Sequence, residues 1–253
     1  MDKLAYTALS AMQSQSVVRA AITNALANVS TVGFKDSFQI ATAAVKLDGP
    51  GHDSRFQPGL TVEDVINLRP GTPMSTGRPL DIAMNDQTVL GVQTEDGDIA
   101  FTRRGDLRVS STGVLENAEG ELVLGDGGAI TVPAGNLITV SPDGTVFAQL
   151  PTDPETAAVA VGRLMLRDAS TTELVRREDG LFEPRAAALK GQDFPSGPRP
   201  VSISPGMLEG SNVNPVETMV KMLDFSRQFE MQLKLVKETQ SIDEAGSTMM
   251  RLP

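Results

Sequence analysis

The sequence of 253 residues has no cysteine and no tryptophan, and it has one tyrosine and one histidine. Without cysteine the chain cannot form a disulfide, a thiol nucleophile, an iron–sulfur cluster or a cysteine-ligated zinc site. The single histidine, His52, excludes a site with several histidine ligands, and a Ser-His-Asp triad would have to use it. His52 lies among glycine, proline and small polar residues, where a partner that orients the ring is difficult to hold.

Positive charge is also scarce. The 22 Lys+Arg against 32 Asp+Glu give a formal net charge of -10. This balance argues against a nucleic-acid partner, because such binding depends on neutralising phosphates. No apolar run approaches the roughly 18 residues of a membrane span. Residues 13–16 and Arg19 interrupt any apolar core of a signal peptide. We therefore predict no direct membrane insertion and no cleaved Sec signal.

The N-terminal segment predicts a long amphipathic helix, since residues 2–29 contain neither glycine nor proline. Its mostly apolar seam has the alternating four-and-three spacing of a coiled coil, at Leu4, Ala8, Ala11, Gln15, Val18, Ile22, Ala25 and Val29. The other face carries small uncharged polar residues instead of the usual charges. Two interpretations of this N-terminal helix stay open: it lies across its own domain, or it packs against several neighbouring helices.

The C-terminal segment predicts a second helix. Asn214 suits the N-cap, Pro215 the first helical position and Glu217 the third. The same spacing then predicts a seam that continues towards the C-terminus, at Met219, Met222, Ser226, Phe229, Leu233, Val236 and Gln240.

The middle of the chain predicts antiparallel β structure. Strand-sized apolar runs between Leu80 and about Pro200 are separated by dipeptides that end in glycine, namely Asp96-Gly97, Thr112-Gly113, Glu119-Gly120, Asp143-Gly144 and Asp179-Gly180. The expected fold is α+β, with N- and C-terminal coiled-coil-like helices bracketing a barrel- or sandwich-like β-rich domain. We expect residues 1–40 and 205–253 to form a discontinuous helical domain, 41–79 an extended connector and 80–204 the β-rich domain.

Two segments resemble ligand-binding loops but are better explained as turns. Gly125-Asp126-Gly127-Gly128 precedes a strand-like run that ends at Pro133, whereas a phosphate-binding loop needs a helix after it. The acidic residues 95–98 lack the length and the distal glutamate of a calcium loop. We therefore predict no catalytic, cofactor-binding or metal-binding residues, no cofactor and no enzymatic activity.

Several motifs resemble those of the flagellar basal-body rod and hook family. Residues 24–35 read Asn-Ala-Leu-Ala-Asn-Val-Ser-Thr-Val-Gly-Phe-Lys, and residues 208–213 read Leu-Glu-Gly-Ser-Asn-Val. Residues 76–83 and 101–107 add a third match in the expected order, so the resemblance covers nearly the whole chain. Within the family, residues 227–234 are most similar to the proximal rod proteins. A distal rod or hook-type axial protein is the alternative.

The resemblance implies a structural subunit of the proximal rod, the tubular shaft that transmits torque. Members of the family are exported through the flagellar type III apparatus and assemble in the periplasmic portion of the basal body. The expected partners are other proximal and distal rod proteins and copies of the chain itself. A secreted hydrolase with a β domain and a free-standing binding module are rival hypotheses from other functional classes.

The terminal helices and their flanking motifs would then form the assembly interface. The residues expected in it are Leu4, Ala11, Val18, Ile22, Ala25, Asn28, Gly33, Phe34, Leu208, Glu209, Ser211, Asn212, Val213, Met222, Phe229, Leu233 and Val236.

Overall fold

The computed structural model describes residues 2–46, 56–151 and 158–250. The side chains of residues 2–14, 37–46 and 56–64, and a few in the last helix, are outside that description, as is the whole of His52. The described chain combines helices with mostly antiparallel sheets. It divides into two compact units, which we call the helical unit (Met1–Ala27, Phe38–Glu63 and Asn214–Pro253) and the β-rich unit (Asn28–Ser37 and Asp64–Val213).

The helical unit contains both long helices. Helix α1 spans Asp2–Ala27 and helix α2 spans Pro215–Met250, and the two helices pack against each other. Strands β1 (Ser37–Lys46) and β2 (Phe56–Ile66) pair with each other, and most of their residues belong to this unit. The predicted helix start is confirmed, because the Asn214 side-chain oxygen accepts hydrogen bonds from the backbone N–H groups of Val216 and Glu217, at 3.1 and 3.3 Å.

The β-rich unit is built from short strands. They are β3 (Pro73–Ser75), β4 (Ile82–Met84), β5 (Thr88–Gln93), β6 (Ile99–Thr102), β7 (Leu107–Val109), β8 (Leu115–Asn117), β9 (Leu122–Gly125), β10 (Gly128–Ala129), β11 (Leu137–Val140), β12 (Thr145–Gln149), β13 (Val159–Arg163), β14 (Leu166–Asp168), β15 (Leu174–Arg176), β16 (Phe182–Pro184), β17 (Ile203–Pro205) and β18 (Met207–Glu209). A short 3-10 helix covers Ala187–Leu189.

The largest sheet of this unit follows the order β15-β16-β6-β5-β9-β8-β7, and the last residues of β2 extend it beside β15. Strands β11, β12 and β13 form a second, three-stranded sheet, while β17 pairs with β4 and β18 pairs with β3. The antiparallel, β-rich part of the prediction is confirmed. The described strands of the large sheet form an open path and not the closed ring of a barrel.

The five glycine-containing dipeptides predicted as turns do lie in turns. Each joins two antiparallel strands, and the glycine of each has a positive φ of 80° to 102°. A glycine adopts this conformation without the steric cost that a side chain would add. One expected strand is shorter than predicted, because β10 stops at Ala129 and Thr131 keeps a single bridge to Val114.

Two hydrophobic clusters fill the β-rich unit. One includes Ile82, Leu90 and Leu115, and the other is centred on Phe101, whose ring meets that of Phe194 edge-on at 4.6 Å. All five side chains are almost completely buried. The division into an assembly domain of 1–40 with 205–253, a connector of 41–79 and a β-rich domain of 80–204 stays a prediction, since contacts alone do not assign an assembly role.

Candidate assembly site and a buried charge cluster

The seam predicted on α1 agrees with the burial of its described side chains. Ile22 and Ala25 are buried, and Val18 is half-buried, whereas the residues between them on the other face are exposed. Gln15 also lies on this face, and its side-chain oxygen is buried without a hydrogen-bond partner among the described residues. The predicted interface positions Leu4 and Ala11 lie in α1, but their side chains are outside the described part of the chain.

The seam predicted on α2 has the three-and-four spacing that the burial shows, but every second predicted residue lies one position after a sheltered one. Its sheltered residues are Thr218, Met222, Phe225, Phe229, Gln232, Val236 and Thr239. Of the residues predicted for the interface, Met222, Phe229 and Val236 are among these sheltered residues. The side chain of Leu233 is 37% exposed, and Gln232 takes the sheltered position beside it.

In its first turns α2 is apolar on two faces. Val216, Met219, Val220 and Leu223 are 50–68% exposed. Their spacing of three and four residues puts them on one stripe, about half a turn away from Thr218 and the sheltered seam. We call these four residues the outer face of α2. The hydrophobic pattern does not say which of the two faces packs against α1.

A buried charge cluster lies inside the β-rich unit, at the carboxylate of Glu209. Lys35 Nζ donates to Glu209 Oε1 at 2.6 Å, and Arg103 Nε donates to Glu209 Oε2 at 2.7 Å. The backbone N–H of Gly71 also donates to Oε1, at 2.8 Å. The side chains of Lys35 and Arg103 are 0% exposed and that of Glu209 is 3% exposed. Two positive charges therefore share one carboxylate away from water.

The guanidinium of Arg103 is fully satisfied by this arrangement. Besides Nε, its Nη2 contacts Glu209 Oε2 at 2.6 Å and donates to the Met84 carbonyl at 2.9 Å. Its Nη1 donates to the carbonyls of Asp86 and Thr88 at 2.7 and 2.9 Å. These contacts use all five donors of an arginine. Asp86 presents its carbonyl from a left-handed conformation, φ 47°, which aspartate tolerates better than most side chains.

The environment of Lys35 opposes its charge. Burial, followed by the positive charge of Arg103, lowers the pKa of Lys35 to about 8, and Glu209 counteracts both effects. The ammonium also donates to the carbonyl of Arg69 at 3.0 Å. Burial lowers the pKa of Arg103 as well. Glu209 is therefore the group that keeps both cations tolerable in the interior.

The chain around this cluster is tightly packed. The backbone N–H of Gly33 donates to the Glu209 carbonyl at 2.7 Å, and Gly33 has a φ of 69°. A Cβ on Gly33 would lie 2.6 Å from the backbone of Arg103, so glycine is required by space as well as by conformation. The ring of Phe34 lies 4.4 Å from the guanidinium carbon of Arg176, a cation–π contact.

The motif residues predicted as an assembly interface thus fall into two groups. Gly33, Leu208, Glu209 and Val213 are buried in the described chain. Four more are partly exposed, namely Asn28, Phe34, Ser211 and Asn212. Lys35 and Arg103 lie within motifs of the family resemblance, but the sequence alone assigns neither of them a role.

The acidic turn at 95–98 connects β5 to β6, as expected of a hairpin tip. It borders an open groove of about 820 Å³, whose lining includes Glu95, Asp96, Glu119 and Asp179 and no histidine or cationic side chain. Among the described residues, no group of three or more histidine or carboxylate side chains could hold a metal ion. None of the described helices has the length and hydropathy of a membrane span.

Comparisons with known proteins agree with the motifs. Residues 204–249 match the family model described as flagellar basal body rod FlgEFG protein C-terminal, and residues 83–148 match the flagellar hook protein FlgE/F/G D1 domain. The flagellar basal-body rod protein FlgF of Salmonella typhimurium is 40% identical, over 96% of this chain and 95% of the relative. The chain belongs to the FlgF family of flagellar basal-body rod proteins.

Further relatives support this assignment. FlgF of Escherichia coli K12 is 38% identical over 97% of the chain and 96% of the relative. A FlgG protein of Buchnera aphidicola subsp. Baizongia pistaciae is 30% identical over 91% of the chain and 93% of the relative. The chain is therefore more similar to these two FlgF proteins than to this FlgG. Of the two regions that match these family models, residues 83–148 contain Arg103 and residues 204–249 contain Glu209.

Proposed function

We propose that this chain is a structural, non-enzymatic subunit of the proximal rod, and that it polymerises through its terminal helices into the shaft that transmits torque. Relatives named FlgF along nearly the whole chain support the rod assignment. The proposed location is the periplasmic portion of the flagellar basal body. The proposed route is type III export without a cleaved Sec signal.

The observation that carries the proposal is the outer face of α2. A soluble helix that packs against α1 on one side normally carries polar residues on the other. Here Val216, Met219, Val220 and Leu223 form an exposed apolar stripe on that other side. Contiguous exposed apolar surface is typical of a protein interaction site.

Helix α1 offers a complementary surface on the corresponding part of another subunit. Its exposed residues include Ser16, Ala20, Thr23, Asn24 and Ala27, which are small or uncharged, beside the exposed Val17 and Arg19. Large apolar side chains of α2 can pack closely on small side chains of α1, as knobs pack into holes. Such a contact joins two different surfaces and therefore propagates along a helical array. The proposed partners are other rod subunits and further copies of this chain.

This proposal divides the predicted interface by role. Val18, Ile22, Met222, Phe229 and Val236 support the pairing of α1 with α2 in a coiled-coil-like bracket around the β-rich middle. The outer face of α2 would meet the neighbouring subunit. Leu233 lies beside the sheltered seam, ten residues after Leu223, and its place in the interface stays a prediction.

The proposal is tested by placing a charge on the outer face. Leu223→Glu should abolish swimming in a strain that lacks the native gene, because a buried unpaired carboxylate is strongly unfavourable in a packed interface. Gln228→Glu is the matched control, since it adds the same charge at an exposed position of the same helix. Motility in soft agar and recovery of assembled rods are the measurements, and thermal unfolding of the purified monomer checks the fold.

The expected result is a Leu223→Glu variant that folds like the wild type, does not enter rods and does not support swimming, beside a motile Gln228→Glu variant. Normal swimming of the Leu223→Glu strain would remove α2's outer face from the interface. An equal loss of swimming in the Leu223→Glu and Gln228→Glu strains would point to a general effect of the added charge on export or solubility. That result would also count against the proposal.

A further inference from the structure

The places where the chain first enters and last leaves the β-rich unit are hydrogen bonded to each other. The entry segment is Asn28–Ser37, and the exit segment is the last part of Asp64–Val213. Beyond the bond from Gly33 to the Glu209 carbonyl, Asn212 N donates to the Phe34 carbonyl at 3.3 Å. The Asn212 side-chain oxygen accepts from Asp36 N at 2.6 Å. Each segment continues directly into one of the two long helices.

We propose that Glu209 is a positioning residue, and that its carboxylate clasps the entry and exit segments onto Arg103 and so fixes the spacing at which α1 and α2 leave the β-rich unit. Lys35 belongs to the entry segment and Glu209 to the exit segment, while Arg103 comes directly after β6. Along the chain Arg103 is 68 residues after Lys35 (103 − 35) and 106 residues before Glu209 (209 − 103). The consequence for rod assembly rests on the proposed function, whereas the clasp itself does not.

The charges of the cluster give the clasp a signature that simple packing lacks. Glu209→Gln keeps the size and shape of the side chain but leaves Lys35 and Arg103 as two buried cations without an anion. Lys35→Met keeps a similar chain length and leaves a neutral Arg103–Glu209 pair. Removing one partner of a buried ion pair is costly because the remaining charge stays desolvated. The isosteric Glu209→Gln change should therefore have the larger effect.

The absence of cysteine makes the spacing directly measurable. Cysteines introduced at Ser30 in the entry segment and Ser211 in the exit segment can carry nitroxide labels for pulsed dipolar distance measurements on the full-length monomer. The doubly labelled parent should give one narrow distance distribution. Glu209→Gln should broaden and shift it and lower the Tm by about 10 °C. Lys35→Met should leave the distribution narrow.

A matched control separates the clasp from a generic loss of charge. Glu173 pairs with Arg185 in the same unit, at 2.8 Å, with 63% of its side chain exposed. Glu173→Gln is the same chemical change and should leave both the distances and the Tm as in the parent. Adding Lys35→Met to Glu209→Gln should recover part of the lost Tm, because one of the two unpaired cations is removed.

A narrow, unshifted distribution in Glu209→Gln would overturn the proposal, and so would equal broadening in Lys35→Met and Glu209→Gln. If Glu209→Gln does not fold, Glu209→Asp keeps the charge and shortens the reach, and the clasp then requires a shifted distribution with a smaller loss of Tm. A parent-like distribution in Glu209→Asp would count against it. Because these measurements use the monomer, they can fail independently of the motility test of Leu223→Glu.

Discussion

The β-rich unit contains buried charged side chains, whereas the helical unit contains exposed apolar ones. In the β-rich unit Lys35, Arg103 and Glu209 are withdrawn from water and hydrogen bonded. In the helical unit Met219 and Leu223 of α2 are more than half exposed. The charge cluster is therefore satisfied within the chain, whereas the outer face of α2 is apolar surface that a single chain leaves uncovered.

The difference suggests a division of labour. A unit with a closed core and a buried charge cluster keeps its shape without partners, and it is suited to hold other elements in place. A helix with two apolar faces gains stability when a second neighbour covers the outer one. In the proposed rod, assembly at the helices would then need no rearrangement of the β-rich unit.

The same substitution in each unit should break this comparison most clearly. Leu90→Ala removes a side chain that is 0% exposed in the β-rich core and should cost about 3–4 kcal/mol of unfolding free energy. Leu223→Ala removes one that is 60% exposed and should change the free energy by less than about 0.5 kcal/mol. Urea denaturation of the two monomers, followed by circular dichroism, gives both values.

For Leu223→Ala the effect on rod assembly should be larger than the effect on monomer stability. Leu223→Ala is expected to weaken rod assembly while the monomer stays as stable as the wild type, because the proposed function places the lost contact between subunits. A Leu223→Ala monomer that is destabilised as strongly as Leu90→Ala would mean that the outer face of α2 is packed within the chain, and the contrast between the two units would disappear.

The pH dependence of stability should come next in size. The folded-state pKa of Lys35 is about 8, below its ordinary value of 10.5. Between these values the unfolded chain binds the proton that the folded chain has released, so stability rises with pH across this window. Below the folded pKa the cost of burying the charge is fully present. From about pH 7.5 to about pH 9.5 the gain should be about 2 kcal/mol.

Lys35→Met supplies the control for this prediction. Other groups titrate in both proteins, so the difference between the two unfolding curves isolates Lys35, which faces Glu209 and Arg103. The difference should shrink as pH rises, because the wild type then also buries a neutral group. A difference that is constant across the window would mean that Lys35 keeps an ordinary pKa despite its burial.

Local signals explain which features the sequence could predict. The turn glycines and the N-cap at Asn214 act through residues one to three positions apart, and both were predicted correctly. On α1 the spacing selects Val18, Ile22 and Ala25, which are half-buried or buried, and among the described residues of its other face only Val17 is a large exposed apolar side chain. In the first turns of α2 the spacing selects Met219, which is 53% exposed, whereas the neighbouring Thr218 is buried. Apolar residues occupy both faces there, and only tertiary packing chooses between them.

The buried charge cluster had no local signal at all. Lys35, Arg103 and Glu209 come from three distant segments, and a charged residue in a sequence is ordinarily read as solvated surface. Family resemblance pointed to the motifs that contain them, but the motifs alone did not say that the three side chains meet. Their role depends on long-range pairing, which composition and periodicity do not encode.

The smallest effect that we expect concerns the junction at which α2 begins. The Asn214 side chain caps two backbone N–H groups of the first turn and is itself exposed. Asn214→Ala should cost about 1 kcal/mol, whereas Asn214→Gly should cost only a few tenths, since glycine is well tolerated at an N-cap. Hydrogen exchange should accelerate in the first turn of α2 in the alanine variant.

This prediction also sharpens the contrast between the units, because the cap lies at the boundary between them. If the β-rich unit holds its exit segment through Glu209 and Asn212, exchange in β4 and β18 should be unchanged while the first turn of α2 frays. Faster exchange in β18 as well would mean that the helix start and the clasp open together. The two units would then behave as one cooperative structure, and the exit segment would depend on the helix instead of fixing its position.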